Sequence, residues 1–240
     1  MSSSRFGSLH LNDHDERTPV TYDETKRGTG RAAGLWPLVH AERAALAADL
    51  ADLTDEQWAT RSLSTALTVR EVLAHLTAAA SLNAVRWMVG VIRCRFDFDK
   101  QVAMRLAEQL GASPAETLER FRRVVTSTTK PPLPIMAMLG ETIVHGEDIR
   151  RPLGIRHEYP IGTVTRLAEY YQGSDQVVAA RKRITGLRLT ATDGPFATGS
   201  GPLVSGTTLV LVMAMTGRSV YCDELDGDGV EILRGRRDLT

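Results

Sequence analysis

A proline-bounded stretch constrains this chain more than any other. Pro134 can open a helix, and Pro152 must stop one, because its ring removes a donor and restricts the residue before it. Between them lies Glu141-Thr-Ile-Val-His145, followed by Asp148 and then Arg150-Arg151-Pro152-Leu153-Gly154. A spacing of four is about one helical turn, so the carboxylate and the imidazole project from the same face. A transition metal favours such a pair, which offers a hard oxygen and a borderline nitrogen already oriented by one rigid element. Two ligands hold a metal poorly. The third candidate is His75, in Thr68-Val-Arg-Glu71-Val-Leu-Ala-His75-Leu76, beside the apolar stripe of an earlier helix. On an exposed helix a Glu–His pair is only a surface contact of roughly a few tenths of a kcal/mol. Here Met138, Leu139, Thr142 and Ile149 leave His145 no evident solvent-facing stripe, and a buried imidazole facing a carboxylate needs a reason. Asp148, three residues on, is placed either to accept from an imidazole N–H and fix its tautomer or to pair with Arg150 or Arg151.

The rest of the N-terminal two thirds reads as helix. Leu35, Leu38, Val39, Leu46, Leu50 and Leu53 mark one face, which Glu42 interrupts. Thr54 with Gln57, and Thr68 with Glu71, form capping-box patterns; the second opens a long helix predicted to run through Val85 towards Ile92. On that continuous helix Ala79, Asn83 and Arg86 fall in phase with His75, which would put an amide and a guanidinium above the metal ligand. Equally, Asn83 and Arg86 can mark a solvated edge. A shorter helix stops at Gly111, and Ser113-Pro114 caps another. Four amphipathic helices joined by short links predict a four-helix bundle over residues 34–155.

After Gly154 the pattern changes. A helix is expected from Thr163 to about Ala180, a half-buried strand over 186–193, and a helix capped by Ser205 and closed by Gly217. Residues 156–240 therefore read as a small α+β unit, whereas 1–33, polar and without apolar periodicity, read as a mobile tail. Acidic and basic residues balance at 29 each, so no nucleic-acid footprint is visible. The longest apolar run, Leu209 to Met215, is far shorter than the ~20 residues of a membrane span. The N-terminus lacks a secretory apolar segment, and Cys94 and Cys222 form no CxxC pair, so the expected location is the cytoplasm. Cys94, between Arg93 and Arg95, is either a favoured thiolate or a partly buried structural thiol.

The motifs at 53–58 (Leu-Thr-Asp-Glu-Gln-Trp), 68–76 and 140–154 together resemble the N-terminal domain of the mycothiol-dependent maleylpyruvate isomerase family, within the broader DinB-like metal-binding bundles. The resemblance runs from Trp36 to Gly154. It implies a divalent metal, commonly zinc, held at His75, Glu141 and His145 with water completing the shell. A weaker likeness over Val204 to Leu233, with Gly217-Arg218, implies a sterol-carrier-like C-terminal domain and Arg218 as an anion-binding residue. Where members often place Trp before the Thr-Val helix start this chain has Leu67, and the segment 62–66 lacks the usual Cys and Gly. Those departures bear on the substrate more than on the metal.

A metal with an open position lowers the pKa of a bound thiol. An external thiol, mycothiol by resemblance, would attack a small electrophile, giving isomerisation or a conjugate, with Asn83, Arg86 and Arg218 orienting thiol or substrate. No Ser-His-Asp or Cys-His signature competes. The alternatives are a non-catalytic metal- or thiol-binding DinB-like module, and a degenerate scaffold for protein interactions.

Overall fold

The computed structural model describes residues 34–64 and 67–236. The expected tail at 1–33 lies outside them. Four helices form the bundle: α1 (Trp36–Asp49), α3 (Val69–Ser81), α6 (Pro114–Arg122) and α7 (Ile135–Arg150), with the short α2 (Asp55–Ala59) before α3. Two more, α4 (Ala84–Arg93) and α5 (Phe98–Gln109), link α3 to α6, and α5 packs along α3. Both capping boxes form. Thr68 N donates to Glu71 Oε2 at 2.8 Å while the Thr68 hydroxyl accepts from Glu71 N; Thr54 and Gln57 repeat the exchange. Ser113 caps α6 with Pro114 in its first turn. Leu46, Leu50, Leu73, Leu76, Phe121 and Ile149 fill the bundle core, and Leu67 packs against it.

The expected continuous helix from Thr68 to Ile92 is two helices. Leu82 turns extended, and Asn83 restarts the chain as an N-cap, its Oδ1 accepting from Arg86 N at 2.9 Å. Asparagine favours that position because its side chain replaces a missing backbone partner. The phase argument that set Asn83 and Arg86 above His75 therefore fails. Beyond the break, α4 leaves Val85, Met88, Val89 and Ile92 exposed.

The C-terminal unit comprises α8 (Ile161–Gln172), α9 (Ala180–Ile184), β1 (Arg188–Ala191), β2 (Ala197–Gly199), β3 (Leu203–Gly206), α10 (Thr208–Met215), a 3-10 turn (Ser219–Glu224) and α11 (Val230–Gly235). The sheet order is β2-β1-β3, antiparallel between β1 and β2 and parallel between β1 and β3, with Leu189 opposite Val204. Two expectations change here. The helix read from Thr163 to Ala180 ends at Gln172, where Gly173 forms the C-cap, and Asp175 then draws the chain into α9 by accepting from Lys182 N. Ser205 lies in β3, where its backbone pairs both ways with Asp226; Thr207 caps α10 instead.

A second apolar cluster joins the two parts of the chain. Leu139, Ile143 and Val144 of α7 pack with Leu167 and Tyr171 of α8, Leu189 of β1 and Leu211 of α10. The bundle and the C-terminal unit thus share a core across residues 155 and 156. No helix among the described residues is long and apolar enough to cross a membrane.

Close approach of α7 and α8 depends on Gly140, where an added Cβ would fall 2.3 Å from the Tyr171 hydroxyl. Gly162 on α8 has nothing within 4 Å of that position. Gly140→Ala is therefore expected to lower stability by about 1–3 kcal/mol in urea unfolding. Gly162→Ala, which only removes freedom from the unfolded chain, is expected to raise it by roughly 0.5 kcal/mol. Equal effects would show that α7 and α8 are not in close contact.

Candidate metal centre

Three ligand-type side chains from two helices meet at the bundle's inner end. His75 on α3, and Glu141 and His145 on α7, each offer one donor atom, all within 4.8 Å of one another. Glu141 Oε2 lies 3.2 Å from His75 Nε2 and 3.4 Å from His145 Nε2. The two rings meet edge to face with centroids 5.0 Å apart. Bonds of ~2.0–2.2 Å in a tetrahedral shell set neighbouring donors roughly 3.3–3.6 Å apart. Both separations from Glu141 match that spacing, and all three donors lie within 4.8 Å of one another.

Why both α7 side chains point here follows from helix period, as their spacing required. Asp148 completes the local geometry. Buried completely, it accepts from His145 Nδ1–H at 2.8 Å, so the other ring nitrogen, Nε2, is turned towards Glu141. Its second partner is Arg218, which follows α10: Nε donates to Oδ1 at 2.9 Å and Nη2 to Oδ2 at 2.6 Å. Arg218 Nη1 goes to the Thr216 carbonyl. A guanidinium paired in this way orients the aspartate, and Asp148 is the partner the structure gives Arg218. Of the two partners the sequence left open for Asp148, the imidazole is the one it takes; Arg150 and Arg151 pair elsewhere.

Charge supports a cation at this point. Two carboxylates, Glu141 and Asp148, face one guanidinium and two imidazoles that are neutral in their usual form. With only protein groups present the imbalance appears as shifted protonation. Burial opposes the charged form of His145, but hydrogen bonds from Asp148 and Glu141 outweigh it and lift its pKa to about 9. Burial likewise opposes ionised Glu141, and the bonds to His145 and His75 hold its carboxyl well below the usual range. A divalent ion would satisfy the same demand, so the donor set fits a metal in number, spacing and charge.

Asn83 and Arg86 do not line the cleft beside the donors. Asn83 is exposed and occupied as a cap, and Arg86 lies 3.8 Å from Glu108. A cleft of about 230 Å³ opens beside His75 and Glu141, and Trp87 and Arg105 line it instead. Sequence reasoning missed both, because only the break before Asn83 brings α4 and α5 round to the cleft. Cys94 is buried at the C-cap of α4, and Cys222 is buried in the C-terminal unit, where desolvation pushes its thiol pKa up. Neither lines the cleft.

The opposite face of α7 carries a separate polar network. Glu147 accepts from the Tyr159 and Tyr221 hydroxyls at 2.8 Å each, and Arg150 joins Tyr159 to Asp49. Glu42, which broke the apolar stripe of α1, meets His157 at 3.0 Å.

Comparisons with known proteins agree with this architecture. Residues 39–133 match the family model described as Mycothiol maleylpyruvate isomerase N-terminal domain. That match includes His75 and ends before Glu141. The crystal structure of a histidine-to-alanine mutant of mycothiol-dependent maleylpyruvate isomerase superposes with a TM-score of 0.54 at 13% identity, covering 82% of this chain and 92% of that one. The crystal structure of mycothiol-dependent maleylpyruvate isomerase gives 0.50 at 12%, with the same coverage. Among curated proteins none matches.

If the three donors hold one ion, His145→Ala should abolish stoichiometric binding in elemental analysis of the purified protein. Asp148→Asn should keep the donors but weaken affinity by about 10–100-fold, because the ring loses its orienting carboxylate. Glu147→Ala should retain the metal yet lose stability by about 1–3 kcal/mol for each hydroxyl it orphans. Loss of metal in the Glu147 variant while it remains folded would place the ligand set elsewhere on α7.

Proposed function

We propose, from the match of residues 39–133 to the mycothiol maleylpyruvate isomerase N-terminal domain and from the site's geometry, that this chain is an enzyme using a divalent metal and a low-molecular-weight thiol on a small electrophile. The metal, zinc by its donor set, would be held by His75, Glu141 and His145. The thiol is mycothiol or a close relative of it, and the reaction is an isomerisation or an S-transfer. The single observation that carries this reading is the convergence of those three donors, two of which, His75 and Glu141, line a cleft. When bound, the ion lowers the pKa of a thiol presented at its open position, which supplies a nucleophile at neutral pH.

The chain's own residues have definable tasks. Asp148 keeps the proton on His145 Nδ1, so that Nε2 presents its lone pair. Arg218 neutralises Asp148 and fixes its orientation. Glu141 spans the two rings and keeps the donors together. The mostly apolar walls of the cleft would displace water from the part of an electrophile bound against them.

With a polarised alkene as substrate the electron count is simple. The thiol's proton passes to solvent, the sulfur pair forms a bond to carbon, and the alkene π pair moves onto the activating carbonyl. Rotation about the resulting single bond, then expulsion of the thiolate, gives the geometric isomer. Protonation of the adduct in place of expulsion gives a stable conjugate. Neither outcome uses Cys94 or Cys222.

The test is spectroscopic. Cobalt-substituted protein should develop a sulfur-to-metal charge-transfer band when mycothiol is added, and a Cys94→Ser, Cys222→Ser double variant should keep both the band and turnover. A folded, metal-loaded double variant without activity would assign the nucleophile to the protein. A band with no turnover of any electrophile would leave a thiol-binding module.

A further inference from the structure

We propose that α4 docks the protein on an anionic membrane surface, through a helix face that the fold leaves uncovered. Val85, Met88, Val89 and Ile92 recur at intervals of three and four residues, which sets them on one stripe of α4. They are between 49% and 72% exposed. The opposite face is the one that packs. Gly90, Val91 and Cys94 are buried, and Gly90 lies against Gln101 and Arg105 of α5. A surface helix ordinarily turns polar residues outward, whereas α4 is apolar on both sides. Among the described residues ten large apolar side chains are exposed, and five of them fall within residues 85–96. They form a local patch rather than a scatter of single residues.

A strained turn ends the helix. Arg95 and Phe96 both have left-handed backbone, with φ of 54° and 65°, where helices commonly place glycine. Phe96 N donates to the Val91 carbonyl at 2.9 Å, and its ring is left 69% exposed. The turn therefore leaves another large apolar group in solvent directly after the stripe.

Two occupants suit such a face: a second copy of this chain, or a lipid bilayer. Charge decides between them. The whole chain is neutral, yet residues 83–105 hold Arg86, Arg93, Arg95, Lys100 and Arg105 against only Asp97 and Asp99. Glu108 pairs with Arg105 at 2.9 Å and lies 3.8 Å from Arg86. Among the described residues Arg93, Arg95 and Lys100, all exposed, have no ion-pair partner. Arg86 and Arg93 follow Val85 by one and eight positions, so both flank the stripe at about 80–100° around the helix. Two copies docked stripe to stripe would gather these guanidinium groups at one contact. Anionic headgroups would neutralise them instead, with the apolar side chains entering the acyl boundary to a depth of ~5–10 Å. Trp87, which lines the cleft, projects about 200° from Val85, so docking through the stripe leaves that wall free.

The experiment is co-sedimentation of the full-length protein with vesicles of phosphatidylcholine alone or with about one third phosphatidylglycerol. At low salt the mixed vesicles should bind at least about tenfold more tightly than the neutral ones, and ~0.5 M salt should remove most of that difference. Val89→Glu should weaken binding about tenfold or more, and Arg93→Glu about fivefold or more. Both positions are exposed, and circular dichroism checks that each variant is folded. Val220→Glu, at an exposed apolar position of the C-terminal unit, should bind as the parent does. Absence of binding to mixed vesicles at low salt, equal binding to both vesicle types, or equal loss in the Val220 variant would overturn the proposal. A dimer in sedimentation equilibrium that Val89→Glu abolishes, without vesicle binding, would assign the face to a second copy and overturn it as well.

Discussion

Everything at the candidate centre depends on one buried carboxylate. Asp148 is fully enclosed and carries three short contacts, one to His145 and two to Arg218. Its pKa is held below the usual value: burial opposes ionisation, and the bonds to Arg218 and His145 outweigh it. Enclosing a charge is costly unless partners with good geometry surround it, and removing one partner of such a pair typically costs about 3–5 kcal/mol. The cation arrives from the C-terminal unit. The orientation of His145 on the bundle is therefore secured by a residue outside the bundle. A bundle without residues 156–240 would leave Asp148 with His145 but without its guanidinium partner, which links the state of the site to the folding of the whole chain.

The same logic explains why α7 tolerates so few changes of face. One side carries Glu141, His145 and Asp148, and another carries Glu147 and Arg150 towards Tyr159, Tyr221 and Asp49. Between them Leu139, Ile143 and Ile149 fill the two apolar clusters. Gly140 and Gly146 leave room for Tyr171 and Arg150 respectively. Pro134 sets the start, and the helix gives way to turn before Pro152. A helix with polar partners on two sides has no free rotation: turning it would break both networks.

What the residues made legible in advance was local. Capping boxes, the proline-bounded α7 and the Glu141–His145 spacing depend on neighbours within four positions, and all have the geometry their sequence implies. His75 could be placed because it follows a capped helix with an apolar stripe. Two of the misreadings share one cause. Asn83 and Gly173 each fit a helical phase, yet act as a cap, and phase alone does not distinguish these roles. Moving the chain at Asn83 removed Asn83 and Arg86 from the centre and brought in Trp87, Gln101 and Arg105. The Arg218 contact was hidden for another reason, since it closes a span of 70 residues and no period or motif connects its ends.

The centre also divides its surroundings by polarity. On the His145 side lie Asp148, closed to solvent, and the partly buried Arg218 paired with it. On the His75 side lies the cleft, with apolar walls and an arginine already bound to Glu108. A donor set at this border can be electrostatically tuned from one side without adding charge to the other. The ionic groups around His145 are tied to one another, while the His75 side opens onto the cleft.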